Sequence, residues 1–209
     1  MKPEERFGFE ENMPEPIRVL FVELVGDVVQ LHHIWEFMSE LFAKPENASL
    51  LNEMVPAAGR LIGQALEDSM IMAACRLSDK LWTGQDNLTL ERLAKACSEI
   101  PGLEQLCKDF YTTTSPFRAH RNKRIGHDDL GTAVKPHENP LPGINKSQVE
   151  EMLKLASKIL KTVHGRYSRA ELAVVPPIHV GGAKDLIFWI RKGYEAERKT
   201  HGRDPGDSS

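Results

Sequence analysis

Apolar residues recur at three- and four-residue intervals through most of this chain and hardly anywhere alternate. From Ile17 to Phe42 the set Ile17, Leu20, Phe21, Leu24, Val28, Leu31, Trp35, Met38 and Phe42 forms one stripe, with Glu23, Asp27, Gln30 and Glu40 on other faces. That period predicts a long amphipathic helix, ended by Lys44-Pro45. A second long helix is predicted from Pro56 to Trp82, through Leu61, Ile62, Leu66, Met70, Ala73, Ala74 and Leu77. Its small residues, Ala57, Ala58, Gly59, Gly63 and Ala65 among them, suit close packing against a neighbour. The cluster at residues 83–87 is a turn. A short helix follows over Leu90 to Ser98, with Thr89 or Asn87 as its cap. Pro101 opens the next, which carries Leu103, Leu106, Phe110 and Tyr111. Ser115-Pro116 reads as a hydroxyl cap before a proline at the first helical position, so the stretch to Gly126 is either a new helix or a kinked continuation.

Residues 128–146, rich in Asp, Gly, Pro and Asn, read as a long loop. Ser147 to Glu150 has the pattern of a capping box, and the helix behind it buries Val149, Met152, Leu153, Ala156, Ile159, Leu160, Val163 and Tyr167. Ala173 to Gly182 reads as extended. A last amphipathic helix places Leu186, Ile187, Trp189, Ile190 and Tyr194 inward. Strand signal is weak throughout and no repeat is evident, so the fold class is all-α, an antiparallel helical bundle. The expected organisation is a flexible arm at 1–16, the bundle at 17–170, an extended segment plus helix at 171–200, and a disordered tail at 201–209.

Composition narrows the function classes. Hydrophobic residues make up 41% and charged residues 27% of 209, the balance of a globular chain. No apolar run reaches the roughly 18 residues of a membrane span, and the acidic, polar start is not a signal peptide. Cys75, Cys97 and Cys107 lack metal-type spacing and read as reduced core thiols of a cytoplasmic protein. A net charge of −3 argues against a general nucleic-acid coat, so any contact with RNA must come from a local basic patch.

One such patch exists. Arg118-Ala119-His120-Arg121-Asn122-Lys123-Arg124-Ile125-Gly126-His127 packs four cations and two histidines into ten residues. Cleaving RNA without a metal needs a group that moves protons near neutral pH, as histidine does, and a fixed cation for the charge developing on phosphorus, which arginine's planar fork suits. On a regular helix Arg121 and His127 lie about 9 Å apart in rise and about 120° apart in direction, whereas His120, Arg124 and His127 share a face. Arg121 and His127 therefore meet only if the helix unwinds near Gly126 or if two copies build composite sites across a two-fold axis; a two-fold dimer is the expectation. The plainer alternative is a solvated basic helix end paired to Asp128 and Asp129.

Arg121, Asn122 and His127, an Arg, a polar residue, four variable positions and a His at a helix end, resemble the signature of the HEPN superfamily. The text RNKRIGHDDL together with CRLSDKLWTGQDNLTLERL upstream resembles its abortive-infection-like branch, over residues 17–170. The resemblance implies a dimeric HEPN-like bundle with motif helices facing each other. In active members it implies a metal-independent endoribonuclease in which the RNA 2′-OH attacks the adjacent phosphate. His127 is then the general acid or base, Arg121 the phosphate clamp and Asn122 the orienting residue. Arg118, His120, Lys123 and Arg124 are candidate RNA-phosphate contacts, and Arg76 and Asp79 are either an ion pair, with each other or across the bundle, or candidate supports of the motif helix. No cofactor or metal is implied. Expected partners are a second copy, an RNA substrate and an antitoxin or regulatory protein, in phage defence or a toxin–antitoxin stress response. The alternative is a non-catalytic HEPN dimer that binds a nucleotide, RNA or protein through the same face.

Other features carry less. His32, His33 and Glu36 lack a third and fourth metal ligand at suitable spacing and read as a polar helix face. Lys154, Lys158, Lys161, Arg166 and Arg169 are either a guide for RNA or a solvated face. Gly181-Gly182-Ala183-Lys184 is too short for a phosphate loop.

Overall fold

The computed structural model describes residues 12–81, 86–126, 134, 137, 139–174 and 181–201, the last two without their side chains, and the statements below concern these. Among them every regular element is helical: α1 (Glu15–Phe42), α2 (Pro45–Met54), α3 (Pro56–Ser78), α4 (Leu90–Ala96), α5 (Leu103–Thr113), α6 (Ser115–His120), a π-helical turn (Arg121–Ile125), α7 (Lys146–Tyr167) and α8 (Ala183–His201). The all-α expectation therefore stands, with local corrections.

The chain forms two compact units. The first comprises residues 1–33 and 68–176, and its core is built from the helical stripes. Phe21, Leu24, Val28 and Leu31 of α1, Ile71, Ala74 and Leu77 of α3, and Met152, Ala156, Ile159 and Leu160 of α7 are all buried. Helix α5 packs chiefly on α7 and α4. A hydrogen bond and a ring contact register α1 against α7: His32 Nε2 lies 2.8 Å from Ser157 Oγ, and His164 stacks on Phe21.

The second unit comprises residues 34–67 and 177–209. Leu41, Leu50, Leu51, Ala183 and Ile187 form its centre, flanked by Phe37, Phe42, Ile62 and Tyr194. The small-residue expectation holds at Gly63, where a Cβ would sit 3.3 Å from the Phe42 ring.

Pro45 does not simply end α1. It occupies the first turn of α2, where its missing N–H costs nothing and its fixed φ suits the helix. Asn47 Nδ2 then donates to the Glu40 carbonyl at 2.7 Å, tying α2 to the end of α1. Helix α3 stops at Ser78 rather than Trp82, and Leu61, placed inward by periodicity, is exposed. Thr89 is the cap of α4, its hydroxyl accepting from Arg92 N–H. Leu103, not Pro101, begins α5, because Gly102 at φ +77° turns the chain first. The capping box before α7 sits two residues earlier than expected. Asn145 accepts from Gln148 N–H and Gln148 Oε1 accepts from Asn145 N–H, since Asn caps as well as Ser and Gln148 is correctly placed to reach back. Trp189 points outward, at 69% exposure. Residues 1–11 of the expected arm, about half of the 128–146 loop, much of the 173–182 segment and the tail after His201 lie outside the described residues, and the end of the arm, from Glu15, already belongs to α1.

Candidate functional site

The basic segment is held by the junction between α5 and α6. Thr114, between them, is fully buried; its hydroxyl donates towards the carbonyls of Phe110 and Tyr111 and accepts from Arg118 Nη1 at 2.7 Å. Thr114 thus takes the junction role expected of Ser115. Arg118 uses its fork inside the protein: Nη1 also reaches Ser78 Oγ at 3.2 Å, Nη2 donates to the Tyr111 carbonyl at 2.6 Å, and the guanidinium lies 3.7 Å from the Tyr111 ring centroid. It joins the end of α3 to the α5–α6 junction, with a cation–π contact adding to its hydrogen bonds. Phe117, fully buried, anchors the same turn.

Beyond His120 the helix widens. The N–H of Gly126 donates to the Arg121 carbonyl at 2.6 Å, a five-residue step that takes one extra residue into the turn. A Cβ at Gly126 would lie 3.1 Å from that carbonyl oxygen, so glycine suits the position. The structure thus departs from a regular helix at Arg121–Ile125.

Arg121 projects from the start of this turn. Its Nη1 donates to Asp79 Oδ1 at 2.6 Å and its Nε to Asn122 Oδ1 at 3.1 Å. The Arg121 and Asp79 side chains are only 25% and 31% exposed. Burial works against the guanidinium charge, but the Asp79 hydrogen bond and field outweigh it and hold Arg121 above its ordinary pKa. Asp79 and Asn122 therefore grip two sides of one guanidinium. Arg124 pairs with Asp68 at 2.8 Å. Lys123 is exposed. His120 Nε2 donates to the Pro142 carbonyl at 2.8 Å, while its buried Nδ1 has no partner among the described residues. Arg76 is exposed, and the ion pair of Asp79 runs to Arg121 rather than to it. His127, Asp128 and Asp129 lie outside the described residues.

Beneath the cluster sits the fully buried Cys75. Burial pushes its thiol up to about 11, with Arg121 pulling the other way. Alongside, α4 and α5 border a cleft of about 700 Å³, lined in part by Ser78, Lys80, Glu91 and Tyr111.

Sequence reasoning brought Arg121, Asn122 and Asp79 into view, and the structure places them in contact. It missed Asp68, Ser78, Tyr111 and Thr114. Asp68 left a faint trace: it precedes Asp79 by eleven residues, about three helical turns, which puts both carboxylates on nearly the same side of α3's course.

The all-helical fold, with Arg121 and Asn122 in contact at a distorted helix end, is consistent with the HEPN resemblance. The chain belongs to the AbiU2 family of that superfamily, whose model matches residues 15–186. No curated protein and no solved structure matches it.

Proposed function

We propose that this protein is a metal-independent endoribonuclease acting as an abortive-infection effector. The observation that supports it most is the Arg121 guanidinium, fixed between Asp79 and Asn122 on the π-turn that leads to His127. A preset cation costs little reorganisation when charge develops on a phosphate. In the reaction, a general base takes the proton of the RNA 2′-OH, the 2′-oxygen bonds to phosphorus, and the P–O5′ bond breaks as an acid protonates the leaving oxygen. The products are a 2′,3′-cyclic phosphate and a 5′-OH. His127 serves as acid or base, Arg121 stabilises the phosphorane, and Lys123 and Arg124 hold neighbouring phosphates. Because a single protomer supplies one His127, a two-fold dimer with facing motifs gives the step both its acid and its base. Restraint by an antitoxin or a triggering signal fits such an activity.

A second reading has its own support. Arg121 and Arg124 already face carboxylates, Asp79 and Asp68, which suits a non-catalytic dimer binding RNA, a nucleotide or a protein through the remaining basic face. Purified wild type and His127→Ala, incubated with total cellular RNA in EDTA and mapped at product ends, separate the two. Cleavage by wild type alone, leaving cyclic phosphate ends, supports the nuclease; RNA bound equally by both and cut by neither supports the binding module.

A further inference from the structure

Helix α8 carries five Lys/Arg against three Asp/Glu in a chain whose net charge is −3. Its apolar positions divide into two sets. Ala183 and Ile187 enter the core of the second unit, with Leu186, Ile190 and Tyr194 packed beside them. Phe188 and Trp189 stay outside, 49% and 69% exposed, with ring centroids 5.2 Å apart and planes at 78°. Around them the exposed charged side chains are the cations Lys184, Arg191 and Lys192 and the acids Asp185 and Glu195. Lys184 precedes Phe188 by four residues, and Lys192 follows Phe188 by four and Trp189 by three, so these groups are surface neighbours. Lys192 Nζ lies 5.8 Å from the Phe188 ring centroid and pairs with Glu195 at 2.9 Å. Asp185 accepts from the Gly181 N–H at the helix start.

Two exposed rings set among cations suit three kinds of partner unequally. A membrane surface calls for a continuous apolar face, and here that face is spent on the unit's own core. A stable dimer interface needs about 800 Å² per partner, whereas two aromatic side chains bring at most about 500 Å² between them. Single-stranded nucleic acid needs exposed rings for its bases and nearby cations for its phosphates, and α8 offers both. The match to the AbiU2 family ends at residue 186, so Phe188, Trp189, Arg191 and Lys192 all lie beyond it.

We propose that the outer face of α8 is a platform for single-stranded RNA, with bases stacking on Phe188 and Trp189 and phosphates meeting Lys184, Arg191 and Lys192. The proposal deepens the ribonuclease reading by giving the substrate a second point of attachment, away from the motif in sequence.

The test uses the full chain carrying His127→Ala, which keeps the RNA intact, and an unstructured, fluorescently labelled 15-nucleotide RNA read by anisotropy. Adding Phe188→Ala and Trp189→Ala together should weaken binding by about tenfold or more, whereas Trp189→Phe should stay within about threefold. Replacing Lys184, Arg191 and Lys192 with Gln should flatten the dependence of affinity on salt. These side chains are exposed, so an unchanged melting temperature verifies that the variants are folded. Unchanged RNA affinity in the ring-less variant overturns the proposal, as does a ring-less variant that loses only self-association or binding to anionic vesicles. The two readings fail separately. Tight, ring-dependent binding without cleavage by the His127 protein leaves the platform and removes the nuclease. Cleavage by that protein, with ring-independent binding, removes the platform and leaves the nuclease.

Discussion

The ion pair between Asp79 and Arg121 bridges 42 residues of sequence at 2.6 Å, and its strength can be worked out. Two unit charges about 4 Å apart attract by about 1 kcal/mol in water and about 4 kcal/mol at the effective dielectric of a protein surface. With side chains 25% and 31% exposed, the pair lies between these limits, and desolvation removes part of the gain. A net coupling of about 1.5 kcal/mol follows, above the roughly 0.2–1 kcal/mol of fully exposed pairs. Denaturant unfolding of wild type, Asp79→Asn, Arg121→Gln and the double variant measures it as a double-mutant cycle. Each single variant should also lower the melting temperature by about 2–4 °C per kcal/mol lost, as suits a chain of this size. Asp79→Asn leaves an oxygen to accept from Arg121 but no charge to hold it, so RNA cleavage should slow by about tenfold or more. A coupling below about 0.5 kcal/mol would show that Asp79 does not fix the guanidinium, and the preset-cation reasoning would fall with it.

Burial lowers the pKa of His32 from 6.5. Its neutral form is favoured in the fold, so stability is full above pH 6.5 and declines below it, as the unfolded chain takes up a proton that the folded one refuses. Unfolding free energies measured between pH 8 and 5 should show that decline in wild type and a smaller one in His32→Gln. Cys75 and Cys107 are buried, with thiols pushed up to about 11 and about 12. A thiol-specific reagent at pH 8 should therefore leave both unmodified in the folded protein and label them once it is denatured. Because these values are raised in the fold, stability should also fall as pH climbs past 9.

The helical pattern was legible wherever a stripe spans several turns, as in α1 and α7, because burial of one face dominates there. The cap of α4 was legible to within two candidates, Thr89 and Asn87, since both residue types favour that position, and the structure selects Thr89. Where two local signals compete, reading fails. Pro45 signals both an end and a beginning, and a proline–Glu46 start followed by Asn47, Leu50 and Leu51 at helical spacing was the overlooked trace of α2. Trp189 satisfies the inward period as well as Ile190 does, but Ile187, Ile190 and Tyr194 already fill the available contact. At the site, the Arg-Asn pair was visible as residue types. The engagement of Arg118 with Tyr111 and Thr114, and of Arg124 with Asp68, depends on how distant helices pack, which periodicity does not encode. The π-turn was foreshadowed only by Gly126 in a helical context.

Two of the places where the chain passes between its compact units fall inside helices, at 33/34 within α1 and at 67/68 within α3. Neither unit can be excised at a linker there, because each cut would break a helix and leave a bare end. The two units are thus poor candidates for shuffling as cassettes. A gene that acquired one without the other would encode broken helices, so the motif-bearing unit and the unit that carries α8 are inherited as a single piece.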